Sequence, residues 1–229
     1  MKTIISEKNA ACKMAAKKII ELINKKNDAC IAFSAWDLPC DFFDELVNRY
    51  ISGDVDFSKA KVFSVCEFVS GSNLGEMLSE RFINRVNVSV DNCYILNNDN
   101  FSRYDEVIAS FGGLDMTVLG IGENCRIGFN EPGTAFSSLT HIQKLSDTVR
   151  KQFITQFDTF EAIPKKGMTL GIKTIINSKE IIIPVFGKEL SDALFRTLYA
   201  RNDASTPSAF LQISSDVSVY ADPEAAARL

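Results

Sequence analysis

The sequence predicts a three-layer α/β/α architecture built on a mainly parallel sheet. Short apolar runs, among them Ala29–Phe33, Met116–Leu119 and Glu180–Phe186, have the length of buried strands. They alternate with stretches of helical period, the pattern of strands joined by crossover helices. No internal repeat, low-complexity block or Pro/Gly-rich linker divides the 229 residues, so a single domain over 1–229 is expected.

Residues 7–26 place Ala11, Met14, Ala15, Ile19, Leu22 and Ile23 on one face of a helix, which Asn27 and Asp28 end. Ala29–Phe33 follows as the first strand, then a loop, Ser34–Pro39, then a helix over Cys40–Ser52 with Phe42, Phe43, Leu46 and Val47 inward. A strand–loop–helix unit of this kind offers backbone N–H groups to an anion. Lys61–Val69 reads as the next strand, and Gly71-Ser72-Asn73 opens a helix over Leu74–Val86, Ser72 and Asn73 being good N-cap residues. A short strand near Tyr94–Leu96, a polar loop at Asn97–Asn100 and a helix over Phe101–Phe111 lead to the apolar run Met116–Leu119. Beyond it a helix is expected over Leu145–Phe160. Gly167–Gly171 should start another, continued by Lys173–Ser178. Strand Glu180–Phe186, helix Leu190–Ala200, a turn and helix in Ser205–Gln212 and a last strand, Val217–Tyr220, complete the pattern, ahead of a tail expected to be mobile.

Composition bounds the function. Hydrophobic residues make up 46% and charged residues 24%, ordinary for a water-soluble globular chain. A net charge of −4 carries no basic footprint for nucleic acid, so an anionic ligand would need a local cluster of cations. No apolar run is long enough to span a bilayer, and Met1–Lys26, with Lys13, Lys17 and Lys18 on a polar face, is not a signal peptide. Cys12, Cys30, Cys40, Cys66, Cys93 and Cys125 are dispersed without a C-x-x-C pair, as expected of reduced thiols in a cytoplasmic protein.

Chemistry is expected in Leu114–Gly133, LDMTVLGIGENCRIGFNEPG. An apolar run ending in Gly120 and Gly122 is a buried strand reaching a sheet edge, and ligands of open α/β sheets bind beyond the carboxyl ends of strands. Glu123, Asn124, Arg126, Asn130 and Glu131 fall there.

The stretch Gly120–Pro132, GIGENCRIGFNEP, resembles the G-x-G-x-D-G-H-I-x-F-N-E-P signature of the glucosamine-6-phosphate deaminase/isomerase and 6-phosphogluconolactonase superfamily. Asn124 in place of the usual Asp, Gly112–Asp115 before the motif and His141-Ile142 after it are similar to the galactosamine-6-phosphate deaminase/isomerase branch. Gly167–Gly171 and Ser205–Leu211 are weaker matches. The resemblance implies a Rossmann-like fold, a sugar-phosphate ligand, no cofactor or metal, no nucleic-acid or membrane partner, and is compatible with a homo-oligomer.

The resemblance also implies roles, and the chain departs from several. In the family a His opens the sugar ring, held by carboxylates that include the Glu of N-E-P; here Glu131 is present but Arg126 takes the His position. Arginine stays protonated and cannot act as a general base. It can bind a phosphate or carboxylate bidentately, and a pair with Glu131 is the leading expectation. Cys125 replaces a family Gly, which suggests altered backbone geometry. The family's proton-abstracting Asp lies in an Asp-Glu pair that here reads Cys66-Glu67. Cys66 suits a small hydrophobe at a strand end, and Glu67, pointing to the other face, does not simply replace its neighbour. In the family's phosphate loop, Ser34 and Pro39 remain but Trp36 stands at a glycine position and Asp37 would repel a dianion. Trp36 is either a core or rim aromatic or a platform for a sugar ring. Ser72 and Asn73, and the basic Lys165, Lys166 and Lys188, match regions that contact phosphate in relatives; the strict lysine position holds Leu190. His141, the sole histidine, is either a site residue or an ordinary exposed one. Two functions result: an amino-sugar-phosphate deaminase/isomerase with altered catalytic residues, or a catalytically silent member that binds a sugar phosphate or a protein. A lactonase ranks last, because that relative's motif lacks the N-E-P ending.

Overall fold

The computed structural model describes residues 1–71 and 73–229, so Ser72 lies outside the described residues. In chain order the strands are β1 (Lys2–Ile5), β2 (Cys30–Phe33), β3 (Lys61–Ser64), β4 (Cys66–Phe68), β5 (Cys93–Tyr94), β6 (Met116–Val118), β7 (His141–Lys144), β8 (Lys166–Thr169), β9 (Glu180–Val185) and β10 (Val217–Ala221). The α-helices are α1 (Lys8–Lys25), α2 (Cys40–Ile51), α3 (Asn73–Arg81), α4 (Tyr104–Ser110), α5 (Asp147–Lys151), α6 (Ile172–Ile176) and α7 (Ser191–Tyr199).

Seven strands form one sheet in the order β1-β10-β9-β6-β2-β3-β5, with parallel pairing throughout. The inner strands β2 and β6, and β10, are buried on both faces, which is why their runs read as continuously apolar rather than alternating. Ile31, Phe33, Met116, Val118 and Ile182 face α1 and α2; Cys30, Ala32, Ile181 and Ile183 face α4, α6 and α7. From β2 the chain runs outward to β3 and β5, then returns to β6 on the other side of β2. The β2/β6 boundary is therefore the topological switch point, and a crevice opens at its carboxyl end.

Several boundaries differ from the sequence expectation. The run Lys61–Val69 is two strands: β3 stays in the main sheet, and after Val65 the chain turns into β4, which pairs antiparallel with β8 in a small sheet β4-β8-β7. Both halves are apolar because both are buried, so the break leaves no trace in hydropathy. Gly167–Thr169 belongs to β8, and the expected helix start falls at the end of the stretch, where Gly171 is the N-cap of α6; Phe129 packs so close to Gly167 that a Cβ there would lie 2.3 Å from its ring. Within Leu145–Phe160 only Asp147–Lys151 is α-helical. Arg150 then donates to the carbonyls of Phe160 and Ile163, holding 152–163 as turns around Phe153. The helix from Asn73 ends at Arg81, with a 3₁₀ turn at Ile83–Arg85. β1 precedes α1 as an edge strand beside β10. The tail is packed: Ala225 is buried, its N–H bonds to the Asp222 carboxylate, and Arg228 pairs with Asp192. No helix among the described residues is long and apolar enough to cross a membrane.

Candidate functional site

Two adjoining hollows of about 220 and 200 Å³ make up the crevice beyond β2, β6 and β9, sharing Trp36, Asp37, Ile121 and Leu190. The first is walled by Lys8, Leu38, Pro39, Gly120, Pro184 and Phe186; the second by Gly122, Glu123, Arg126, Gln152 and Glu189. Gly120 is needed there because a Cβ would lie 2.8 Å from that of Asp37.

After β6 the chain makes a tight turn. Cys125 N–H donates to Gly122 O at 2.8 Å and Gly122 N–H to Arg126 O at 3.0 Å. Cys125 has φ 64°, in the left-handed region that glycine enters most readily, and its side chain is buried in the core. The turn aims Arg126 inward, with its side chain only 2% exposed.

Arg126 pairs with Asp37 and not, as expected, with Glu131. Nη2 lies 2.9 Å from Asp37 Oδ1 and Nη1 3.4 Å from Oδ2. Nη1 also donates to Gly128 O at 2.8 Å and Nη2 to Gln152 Oε1 at 3.2 Å. The guanidinium carbon sits 4.2 Å from the centre of the Trp36 ring, a cation–π contact, and Phe153 packs with its centroid 4.2 Å from the same ring. Trp36 is thus a half-buried rim aromatic that lines both hollows while packing against Arg126 and Phe153. Its Nε1, and Nε of Arg126, are buried without a partner among the described residues.

Ser34, buried at the end of β2, donates to Asp37 Oδ2 at 2.6 Å and lies 3.9 Å from Cys66 Sγ. Burial, then the nearby Asp37 charge, pushes the Cys66 thiol well above its ordinary value, so it stays protonated at neutral pH. Glu67 points away from the crevice. Its carboxylate accepts from Phe68 N–H at 2.7 Å, Leu74 N–H at 3.2 Å and Gly75 N–H at 2.6 Å, capping α3. Burial raises its pKa, and the three N–H groups hold the rise back. Glu131 accepts from Ser146 N–H at 2.8 Å and, at the long distance of 3.5 Å, from Asn124 Nδ2. Asn124 Oδ1 in turn accepts from Arg126 N–H at 3.3 Å.

The structure thus brings Ser34, Trp36, Cys66, Gly120, Gly122, Asn124, Arg126 and Glu131 together around the crevice and separates the rest. His141 is on β7, its Nδ1 2.8 Å from Leu139 O, and lines neither hollow. Lys166 lines a separate hollow of about 390 Å³ with Val69, Ser70 and Glu161–Lys165. Lys188 is exposed; its neighbours Glu189 and Leu190, not Lys188, reach the crevice. Asn73 is the first residue of α3, next to Ser72, which lies outside the described residues. Sequence reading missed Gln152, Phe153 and Lys8 as parts of the site. It had Asp37 in view, and the signal it passed over was the complementarity of Asp37 with Arg126.

Residues 6–220 match the family model described as glucosamine-6-phosphate isomerases/6-phosphogluconolactonase. The chain is 31% identical over 232 residues to a glucosamine-6-phosphate deaminase of Clostridium novyi (strain NT), covering 96% of each protein. It is 35% identical over 234 residues to one of Clostridium botulinum (strain Kyoto / Type A2), covering 97% of this chain and 93% of the other. A solved structure of a monomeric glucosamine-6-phosphate deaminase superposes with a TM-score of 0.92 at 28% identity, over 99% of both chains. A 6-phosphogluconolactonase from Trypanosoma brucei superposes with a TM-score of 0.79 at 15% identity, over 100% of this chain and 98% of that one, a likeness of fold alone.

Proposed function

The chain belongs to the glucosamine-6-phosphate isomerase/6-phosphogluconolactonase family, and from that membership we propose an amino-sugar-phosphate deaminase/isomerase-like protein of carbohydrate metabolism. In this reading it holds a sugar in the crevice over β2, β6 and β9 but does not deaminate it by the family's acid–base route. One unit, residues 1–229, does this work.

The observation that carries the proposal is the closure of Arg126 onto Asp37 against Trp36. Ring opening needs a group that gives and takes a proton near neutral pH, and a guanidinium does neither. Proton transfer between neighbouring sugar carbons needs a carboxylate or other base. The group offered at that place is the protonated Cys66 thiol, and Glu67 is turned under α3. Asn124 and Glu131 keep a shape-holding role, tying the reactive turn to Ser146 at the head of α5. Ser34, Trp36, Gly120 and Gly122 form the crevice wall; Asn73, Lys166, Lys188 and His141 stand outside it. Between the two hexosamines, the resemblance of Asn124 and His141 to the galactosamine branch slightly favours the galacto form.

Ammonia release from glucosamine 6-phosphate and galactosamine 6-phosphate tests the reading. At high protein concentration release is expected at the level of a blank without protein, while an amino sugar, free or phosphorylated, raises the melting temperature at millimolar concentration. Turnover at a rate typical of an enzyme, about 1–1,000 per second, rejects it.

A further inference from the structure

We infer that Lys8, at the start of α1, supplies the cation for the phosphate of the sugar bound in the crevice, opposite the unpartnered backbone N–H groups of the loop after β2. This rests on the reading that the crevice holds a sugar, and it names the residue that meets that sugar's charge.

The loop Ser34–Pro39 and the first turn of α2 are rich in free donors. Asp37 N–H goes to Ser34 O at 3.2 Å and Phe42 N–H to Pro39 O at 3.2 Å. Among the described residues the N–H groups of Ala35, Trp36, Leu38, Cys40 and Asp41 have no acceptor, and no side chain caps α2. A helix that begins in this way carries positive potential at its head. The 220 Å³ hollow lies against the loop, with Trp36, Asp37, Leu38 and Pro39 in its wall. Two side-chain donors beside it, Trp36 Nε1 and Nε of the buried Arg126, are unpartnered as well. Asp37 does not repel an anion as a free carboxylate would, because Arg126 neutralises it at 2.9 Å. Asp41, the acidic residue of the first turn of α2, is exposed and lines neither hollow. Donors thus outnumber acceptors here, a balance that phosphate oxygens reverse.

Lys8 is the one charged side chain on this hollow that lacks a counter-charge among the described residues. It is the first residue of α1, whose first turn holds no acidic residue. A cation at a helix N-terminus opposes the macrodipole, so helix stability does not account for it. Among the described residues its ammonium meets only the Phe186 ring, 5.9 Å from the centre and at the outer limit of a cation–π contact. The segment after β9 brings no other cation, since Leu190 lines the hollow and Lys188 does not. A phosphate set between Lys8 and the loop gives the ammonium its counter-charge and the N–H groups their acceptors.

Calorimetric titration of the full chain with glucosamine, galactosamine and their 6-phosphates decides the matter. Each 6-phosphate is expected to bind wild type at least about tenfold tighter than its free sugar. Lys8→Gln should weaken the 6-phosphates about tenfold and change the free sugars by less than about twofold, while Lys8→Arg stays within about threefold of wild type. Lys188→Gln should leave all four unchanged, and ligand-free Lys8→Gln should melt no lower than wild type. Unaltered 6-phosphate binding in Lys8→Gln, or an equal loss in Lys188→Gln, overturns the inference and leaves the sugar-crevice reading standing. So does a 6-phosphate that binds wild type no tighter than its free sugar, or a free sugar that Lys8→Gln weakens as much as its 6-phosphate. No binding by any of the four at millimolar concentration overturns both.

Discussion

Arg126 and Asp37 form a buried bidentate ion pair between the turn after β6 and the turn after β2, with 2% and 4% of their side chains exposed. Removing one partner strands the other. Asp37→Asn is expected to lower unfolding stability by about 3–5 kcal/mol, because Arg126 cannot shed its charge. Asp37→Leu/Arg126→Met should lose much less than the two single changes summed. Urea unfolding of the four proteins of this cycle gives the coupling, and additive losses would contradict a direct pair.

The close packing of Gly122 on Arg126 gives a second expectation. A Cβ at Gly122 would lie 2.6 Å from Arg126 Cγ and 3.0 Å from Asn124 Oδ1. Gly122→Ala should therefore displace Arg126 and destabilise by about 1–3 kcal/mol. In Arg126→Ala, where that side chain is absent, the added cost of Gly122→Ala should largely vanish. Thermal melts of the four combinations check it.

Thiol accessibility follows from burial. Cys40 is exposed and Cys93 half-buried, while Cys12, Cys30, Cys66 and Cys125 are buried. Burial also raises the Cys12 thiol to about 11. A colorimetric thiol reagent at pH 8 should titrate one thiol quickly, a second slowly and the other four only in denaturant. Cys40→Ser should abolish the fast phase. Rapid modification of Cys66 would mean that its thiol is open to the crevice as an ionisable group.

Glu67 ties stability to pH. Its folded pKa is raised, chiefly by burial, so the folded state holds the proton more tightly than the unfolded one. The contribution of Glu67 is then fullest below the unfolded carboxylate value and declines as pH rises through the folded value. Glu67→Gln cannot accept from all three N–H groups and should cost about 1–3 kcal/mol. The gap between wild type and Glu67→Gln should be widest in mild acid and narrow toward neutrality. Unfolding free energies from pH 4 to 8 test the sign.

The layers of the fold and the placement of the reactive turn were legible because they rest on periodicity and on glycine at a strand end. The runs at Ala29–Phe33, Met116–Leu119 and Glu180–Phe186 became β2, β6 and β9, and the crevice lies at their ends. Where the reading went astray, two structures shared one local pattern. Lys61–Val69 is apolar whether it is one strand or two, and the split at Val65 depends on β8, about a hundred residues on. The Phe-rich segment after Leu145 has spacing that suits a helix, yet Phe153 and Phe157 pack against Phe68 from turns. At the site, the residue types Trp36, Asp37 and Arg126 were readable one by one as departures. That they compensate one another was not, since their contact spans about ninety residues. Glu131 was nearer in sequence and so seemed the natural partner for Arg126. Its carboxylate is instead claimed by Ser146.

The pairing of Lys2–Ile5 with Ser218–Ala221 joins the earliest strand to the last. More than two hundred residues must be enclosed before that ladder can zip, and the closure entropy is recovered late, so β1 should be among the final pieces to dock and the first to fray. Amide protons of Thr3 to Ser6 would then exchange with deuterium ahead of those in β9. Each such opening bares the edge of β10, a strand with no charge along it to discourage a neighbouring molecule from annealing there.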